Sequence, residues 1–380
     1  MHSGEECIHL TNHMKLLHII LSVLGLGILA SCKKSGYDTK NGLVYYKDYH
    51  IESADQASFQ ELNAVFAKDK DQAYYRGVLI TGAVGVVFEA LDEHYGKDQA
   101  SVFYCDNYLD FNLFDTKRRD KVIRISTADA GSFLAIRDEY AKDKFRAYHK
   151  GVGFAVKDVR SFEPLDYMFA KDKDVGYFFL RPISGSEGDS FEVLSENYAK
   201  DRQHVYCSWK DTDDPSAPVA DIIKGADPAS FTVVDICYAT DKSRAYYQNK
   251  PLEAADPATF KKWDEYNTFY ASDSTHIYVE DKLIRGADKS SFRLLTDGYA
   301  QDSQTIFYND KPVKNSNPMS FAVLESGYAK DAKRVYYEGY VLDGADPVSF
   351  TLVGNEADRD AADKNYSYHN GRRVKPEKQR

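Results

Sequence analysis

The sequence predicts a mainly β protein with short helical turns, built from tandem β-meander or hairpin repeats of about 29 residues that stack as an open solenoid. Three observations carry this reading. Phenylalanine recurs at Phe59, Phe88, Phe133, Phe162, Phe191, Phe231, Phe260, Phe292, Phe321 and Phe350, most often 29 residues apart. Aspartates keep step at Asp69, Asp98, Asp143, Asp172, Asp201, Asp241, Asp273, Asp302, Asp331 and Asp363, each 10 or 13 residues after its Phe. Tyrosine pairs follow the aspartates, and the chain holds 29 tyrosines in all. A fixed period in this range marks one supersecondary unit copied many times. A propeller-like closed array is the alternative, although 29 residues is short for a four-stranded blade.

Each part of the unit has its own signal. Tyr328-Ala329-Lys330 and Val335-Tyr336-Tyr337 flank a polar turn that opens on Asp331. Aromatic and β-branched residues on both sides of such a turn predict a hairpin, and the Asp is suited to hold backbone amides within it. Pairs such as Arg76-Gly77, Lys150-Gly151, Glu338-Gly339 and Asn370-Gly371 come next. They suit a two-residue turn with positive φ and predict a third strand. Ala-Asp-Pro-x-Ser-Phe, as at 226–231 and 345–350, predicts one helical turn, with Asp capping and Pro in the first position. The Phe then points into a core shared by neighbours, because a unit this thin cannot bury its apolar face alone. Alternation along the strands predicts that one ring of each Tyr-Tyr points inward and the next outward.

Two inserts break the beat, at 107–124 and 208–219, and inserts in repeats tend to emerge on a working face. Shorter three-residue inserts follow Phe260 and Phe350. The first unit is incomplete, with Lys40 where the Asp would stand, and the last ends near Asn370-Gly371. Repeats are expected over 40–371, with a basic tail at 372–380. At the other end, residues 1–13 read as a mis-called extension before Met14. Residues 14–31 read as a signal, because 16–30 is apolar and of secretory length, too short for a comfortable span. The stretch closes on Leu29-Ala30-Ser31-Cys32, which resembles a lipobox, so that Cys32 would carry lipid and 32–39 would form a tether. Lys33 after that cysteine favours outer-membrane sorting.

Composition excludes some functions. Lys+Arg 49 against Asp+Glu 59 gives a net charge of −10, unlike a nucleic-acid surface. After processing, Cys105, Cys207 and Cys237 remain; an odd number leaves free buried thiols or one disulfide open. No zinc spacing, phosphate loop, GxSxG or HExxH stands in the chain. His149 and His369 replace the second Tyr of a unit and read as packing variants. The ladder carboxylates recur by period, so no two of them single out an acid and a base. No catalytic residue, metal site or cofactor is assigned. The residues put forward for ligand contact are Tyr206, Trp209, Asp211, Asp213 and Asp214, around the second insert.

The unit resembles the bacterial DKNYY repeat family, most literally at Asp363-Lys364-Asn365-Tyr366 and more loosely at Lys68-Asp69-Lys70 with Tyr74-Tyr75. The resemblance covers about 40–371 and implies an envelope protein, but it brings no active-site residues. The functional expectation is a lipid-anchored cell-envelope protein, probing no substrate chemically and acting as a non-enzymatic binding or scaffold module. Its partners would be the membrane, through the anchor, and a protein or glycan. The alternatives are an envelope-polymer hydrolase using the insert loops, or a purely structural or stress-related lipoprotein.

Overall fold

A computed structural model describes residues 35–374 apart from 113–114, 209–219, 264–268 and 357–358. Cys32 and the signal-like stretch lie outside the described residues, as do Trp209, Asp211, Asp213 and Asp214. The chain forms two compact units, Met1–Gly131 and Ser132–Arg380. The first holds three antiparallel sheets, numbered here in chain order: sheet 1 (37–50), sheet 2 (60–79) and sheet 3 (89–124). The second holds sheets 4 (134–154), 5 (163–182), 6 (192–222), 7 (232–251), 8 (261–283), 9 (293–312), 10 (322–341) and 11 (351–374). Sheet 1 has three strands and every other sheet has four, in sequential order.

Sheet 10 shows why the sequence folds this way. Its inner strands, Tyr328–Lys330 and Val335–Tyr337, pair with Tyr328 opposite Tyr337. Glu338 and Gly339 then take φ of 47° and 81°, the expected mirror-image turn, and Tyr340–Val341 returns alongside. The other outer strand is Ala322–Val323, the residues just after the ladder Phe321. The short run after the Phe is therefore a strand, and the sheet begins directly after the ladder Phe.

The turn before the ladder Phe, with or without Pro, is tighter than a helix. Ser58 N donates to Asp55 O at 3.2 Å and Ser230 N to Asp227 O at 3.2 Å, one hydrogen-bonded turn each. The 3-10 helices among the described residues are Gly85–Val87 and Gly188–Ser190, the two turns that open on neither Asp nor Asn but on Val84 and Glu187. No side chain caps them. Glycine is needed there because a Cβ on Gly85 would sit 2.4 Å from Asp69 O and one on Gly188 1.9 Å from Asp172 O.

Packing corrects the expectation of one inward and one outward tyrosine. Tyr74 and Tyr75 are both fully buried, as is Tyr246, and Tyr247 is buried beside it. Alternation still holds, but both faces of an interior sheet are covered. Tyr74 joins Tyr37, Val44, Tyr46 and Ile51 of the sheet before it, whereas Tyr75 joins Phe88, Phe103 and Cys105 of the sheet after it. Within the second unit the clusters likewise link consecutive sheets: 4 to 5, 5 to 6, 6 to 7, 8 to 9, 9 to 10 and 10 to 11. Each ladder Phe is the bridge. Phe321 lies 5.4 Å from Tyr299 and 5.5 Å from Tyr336, and Phe260 lies 5.6 Å from Tyr238 and 5.8 Å from Tyr278. Tilted rings at such spacing add to the area they bury.

Candidate functional site

The polar ladder is the most regular chemistry in the chain, and its geometry shows what it does. Asp331 accepts the amides of Lys333 and Arg334 on Oδ1, both at 2.7 Å. Its Oδ2 accepts the Tyr336 hydroxyl at 2.7 Å and the Asn317 amide at 3.0 Å. Asp69, Asp172, Asp201 and Asp241 repeat all four bonds. The carboxylate thus clips its own hairpin turn to the turn before the ladder Phe, 14 residues earlier. Burial pushes these carboxyls up, and the amide and tyrosine bonds outweigh it, so Asp69, Asp172, Asp201, Asp241 and Asp331 all stand below the usual range. The sequence anticipated the turn amides. It did not disclose the tyrosine five residues on or the earlier amide, although the recurring spacing of the ladder Asp, the Tyr and the turn before the Phe is their signal.

Where a lysine precedes the Asp, it too is committed in several sheets. Lys68 Nζ donates to Val86 O and Phe88 O, and Lys142 Nζ donates to Arg160 O and Phe162 O. Where the residue after the Asp is basic, it can pair with the carboxylate that opens the turn before the ladder Phe, as Lys70 does with Asp55 at 3.0 Å and Lys173 with Asp158 at 3.0 Å. With three or four donors on these carboxylates and a cation near several of them, the ladder is a set of structural clasps rather than a row of ion sites. Among the described residues no group of three or more His, Cys, Asp or Glu is placed to hold a metal.

Chemistry outside the period gathers at the first insert. Instead of a loop, 107–124 extends two strands into one long hairpin, Val102–Asn112 against Asp115–Arg124. At its base lies a cleft of about 390 Å³ lined by Tyr46, Lys47, Tyr75, Arg76, His94 and Asn107, among others. Arg76 Nε approaches Asp120 Oδ1 at 2.8 Å, and its guanidinium lies over Tyr46 at 5.5 Å. His94 Nδ1 is 3.1 Å from Cys105 O, and its ring stacks on Tyr104. Burial pushes the Tyr75 phenol up to about 12 against the opposing bond from Asn107. Burial also raises the Cys105 thiol far above its ordinary value, with Asp106 and Asp120 adding to the effect, so it is a packing group and not a thiolate nucleophile. The cleft suits recognition by cation and hydrogen-bond donors better than covalent catalysis.

The structure places the other sequence candidates as follows. Tyr206 is fully buried; its hydroxyl donates to Asp201 Oδ2 at 2.6 Å and to Gly185 O. It is a ladder tyrosine of sheet 6, turned into the core and away from any loop surface. Of the insert 208–219, only Ser208 is described. Cys207 and Cys237 are, like Cys105, buried. His149 is buried and stacks on Tyr140 at 4.2 Å, the packing role expected of it. Desolvation, then the neighbouring Lys150, pulls its pKa down to about 4.

Fold and clasps together define a tandem β-repeat protein whose periodic polar residues serve the repeat itself. The DKNYY family model matches residues 7–107, 37–180, 218–282 and 270–324, well over half of the chain. The chain belongs to the DKNYY family. No curated protein and no solved structure matched it.

Proposed function

We propose that this protein is a lipid-anchored cell-envelope repeat protein that works as a non-enzymatic binding or scaffold module. The observation that carries the reading is where the polar groups go. Ladder carboxylates, lysines and tyrosine hydroxyls close the turns and join neighbouring sheets, which leaves the unrepeated hairpin 102–124 and the cleft at its base as the contact region. Support for the anchor comes from Leu29-Ala30-Ser31-Cys32 and the apolar stretch before it. Among the described residues no helix is long and apolar enough to cross a membrane. The partner is a protein or glycan of the envelope, met at the outer membrane.

Two experiments test this. Cys32→Ala should move the protein from the membrane to the soluble fraction, and unchanged fractionation would remove the anchor. Replacing 107–124 by a two-residue turn should abolish capture of partners in a pull-down from the native cells while leaving the fold intact. Full capture by the shortened chain would refute the hairpin as the contact region.

A further inference from the structure

The first sheet exposes a face whose centre is buried in sheet 2. Asp38 lies opposite Tyr45, Tyr45 opposite His50, and Lys40 opposite Leu43, so these five residues share one face. In sheet 2 the positions of Asp38, Lys40 and Tyr45 hold Ala67, Asp69 and Tyr74, which are buried, Ala67 and Tyr74 against sheet 1. Those of Leu43 and His50 hold Gln72, half-buried, and Leu79, exposed. In sheet 1 that face has no sheet before it among the described residues. Leu43 is 43% exposed, Asp38, Lys40 and His50 are exposed, and Tyr45 is half-buried. Asp38 in place of the small Ala67 also bars a further copy from stacking there. Lys40 Nζ pairs with Asp38 at 3.1 Å and stands 6.0 Å over the Tyr45 ring. Tyr49, on the rim, is 77% exposed.

We propose that this face rests on a lipid bilayer, with Leu43 and Tyr45 at headgroup level and Lys40 reaching the phosphates. The placement rests on the anchored reading above and adds to it an orientation. Cys32 precedes Tyr37 by five residues, a reach of at most about 18 Å. The tether cannot lengthen by peeling the strand away, because Tyr37 is buried and its hydroxyl donates to Val65 O at 2.9 Å and Tyr74 O at 3.3 Å. The face is therefore held near the lipid whichever way the chain leaves the anchor. Its composition fits that place: Tyr and Lys are residues of the membrane–water boundary, and Lys33, Lys34 and Lys47 add charge that anionic lipid attracts.

The test uses full-length lipidated protein in phosphatidylethanolamine–phosphatidylglycerol vesicles whose acyl chains are brominated. Emission is read above the background of Trp209 and Trp263. In a Leu43→Trp variant the added emission should be blue-shifted and quenched at least about twofold relative to unbrominated vesicles, as for an indole at the interface. A Tyr340→Trp variant, which puts the probe on the rim of sheet 10, where Tyr340 is 72% exposed, should not be quenched. Protein that floats with the vesicles while its Leu43→Trp emission stays unquenched overturns the orientation and leaves the anchor standing. Equal quenching at both positions overturns it too, as general adsorption. Protein that does not float overturns the anchor, and the orientation with it.

Discussion

Sheets 10 and 11 share one backbone plan and differ on one face. Ala329 and Tyr336 of sheet 10 have counterparts in Ala361 and Tyr368 of sheet 11, and all four are buried. The alternate positions diverge. Sheet 10 has Tyr328, Val335 and Tyr337, which pack with Phe350, Ala361 and Tyr368 of its successor. Sheet 11 has Asp360, Ser367 and His369 at the matching places, all half-buried. Asp360 turns inward to accept the Tyr328 hydroxyl at 2.7 Å and outward to take the Asn370 amide at 2.8 Å. Strand alternation lets a copy keep the face that docks and change the face that does not, so a sheet becomes a cap through three substitutions. A polar face at the same positions of sheet 10 would bury unpaired groups against an aromatic cluster.

The largest difference should appear at the bridging phenylalanines. Phe191 lies 6.2 Å from Phe169 and 5.8 Å from Tyr206, inside the second unit. Phe191→Ala should cost about 3–5 kcal/mol in denaturant unfolding. Phe350→Ala, between sheets 10 and 11, should act locally, with hydrogen exchange accelerating at 359–374 and little elsewhere. Global loss from Phe350→Ala would show that the cap and the interior fold as one.

Next come the clasps. Asp172 is fully buried, and Asp172→Ala orphans the amides of Asp158, Asp174 and Val175 together with the Tyr177 hydroxyl. A loss of about 2–3 kcal/mol is expected. Asp363 makes the same bonds, to Asp346, Asn365, Tyr366 and Tyr368, but it is half-buried, and water can replace it. Asp363→Ala should cost about 1 kcal/mol. Equal losses would mean that burial does not set the clasp's worth.

Acid separates two windows. His149 in sheet 4 occupies the position of Tyr337 in sheet 10, and its folded pKa, about 4, lies below the ordinary 6.5. Above 6.5 both folded and unfolded chains hold it neutral. Between 6.5 and 4 the unfolded chain takes up the proton first, so stability falls by about 3 kcal/mol as pH drops through that window. His149→Tyr, which restores the residue of the repeat, should flatten the slope. The ladder aspartates act lower. Their depressed pKa values give stability that is complete above the ordinary 3.8 and is lost as pH falls below it, so that part of the acid curve should survive in His149→Tyr. An unaltered slope between 6.5 and 4 would clear His149 of the role.

How much of this could be read in the sequence follows from what periodicity encodes. The Phe spine, the Asp turns and the Gly turns were legible because each is a local requirement repeated at fixed spacing. The burial of both tyrosines was not, because alternation says which residues share a face and nothing about whether the second face is covered. Tyr206 misled for that reason: next to an insert it reads as surface, yet its spacing of five from Asp201 marks a clasp. The hairpin 102–124 was legible as an insert only, since its alternating charged and apolar residues carry no period shared with the repeat. The cleft at its base draws Tyr46, Tyr75 and His94 from three sheets, a convergence visible only once they are stacked.

The smallest effect isolates a single bond of the clasp. In sheet 9 the residue five after the aspartate is Phe307, so Asp302 accepts the amides of Gln304, Thr305 and Asp288 and has no hydroxyl from that position. In sheet 10 the matching Tyr336 completes the set on Asp331. Phe307→Tyr should then add the fourth bond and raise stability by about 0.5–1.5 kcal/mol, and Tyr336→Phe should lower it by a similar amount. The two changes are opposite in sign because neither alters the stacking of its ring, which in both sheets lies within 6 Å of a ladder phenylalanine. A Phe307→Tyr variant that loses stability would mean that sheet 9 has closed over the space the hydroxyl needs, and that the phenylalanine there is fixed by packing rather than interchangeable with the tyrosine of the repeat.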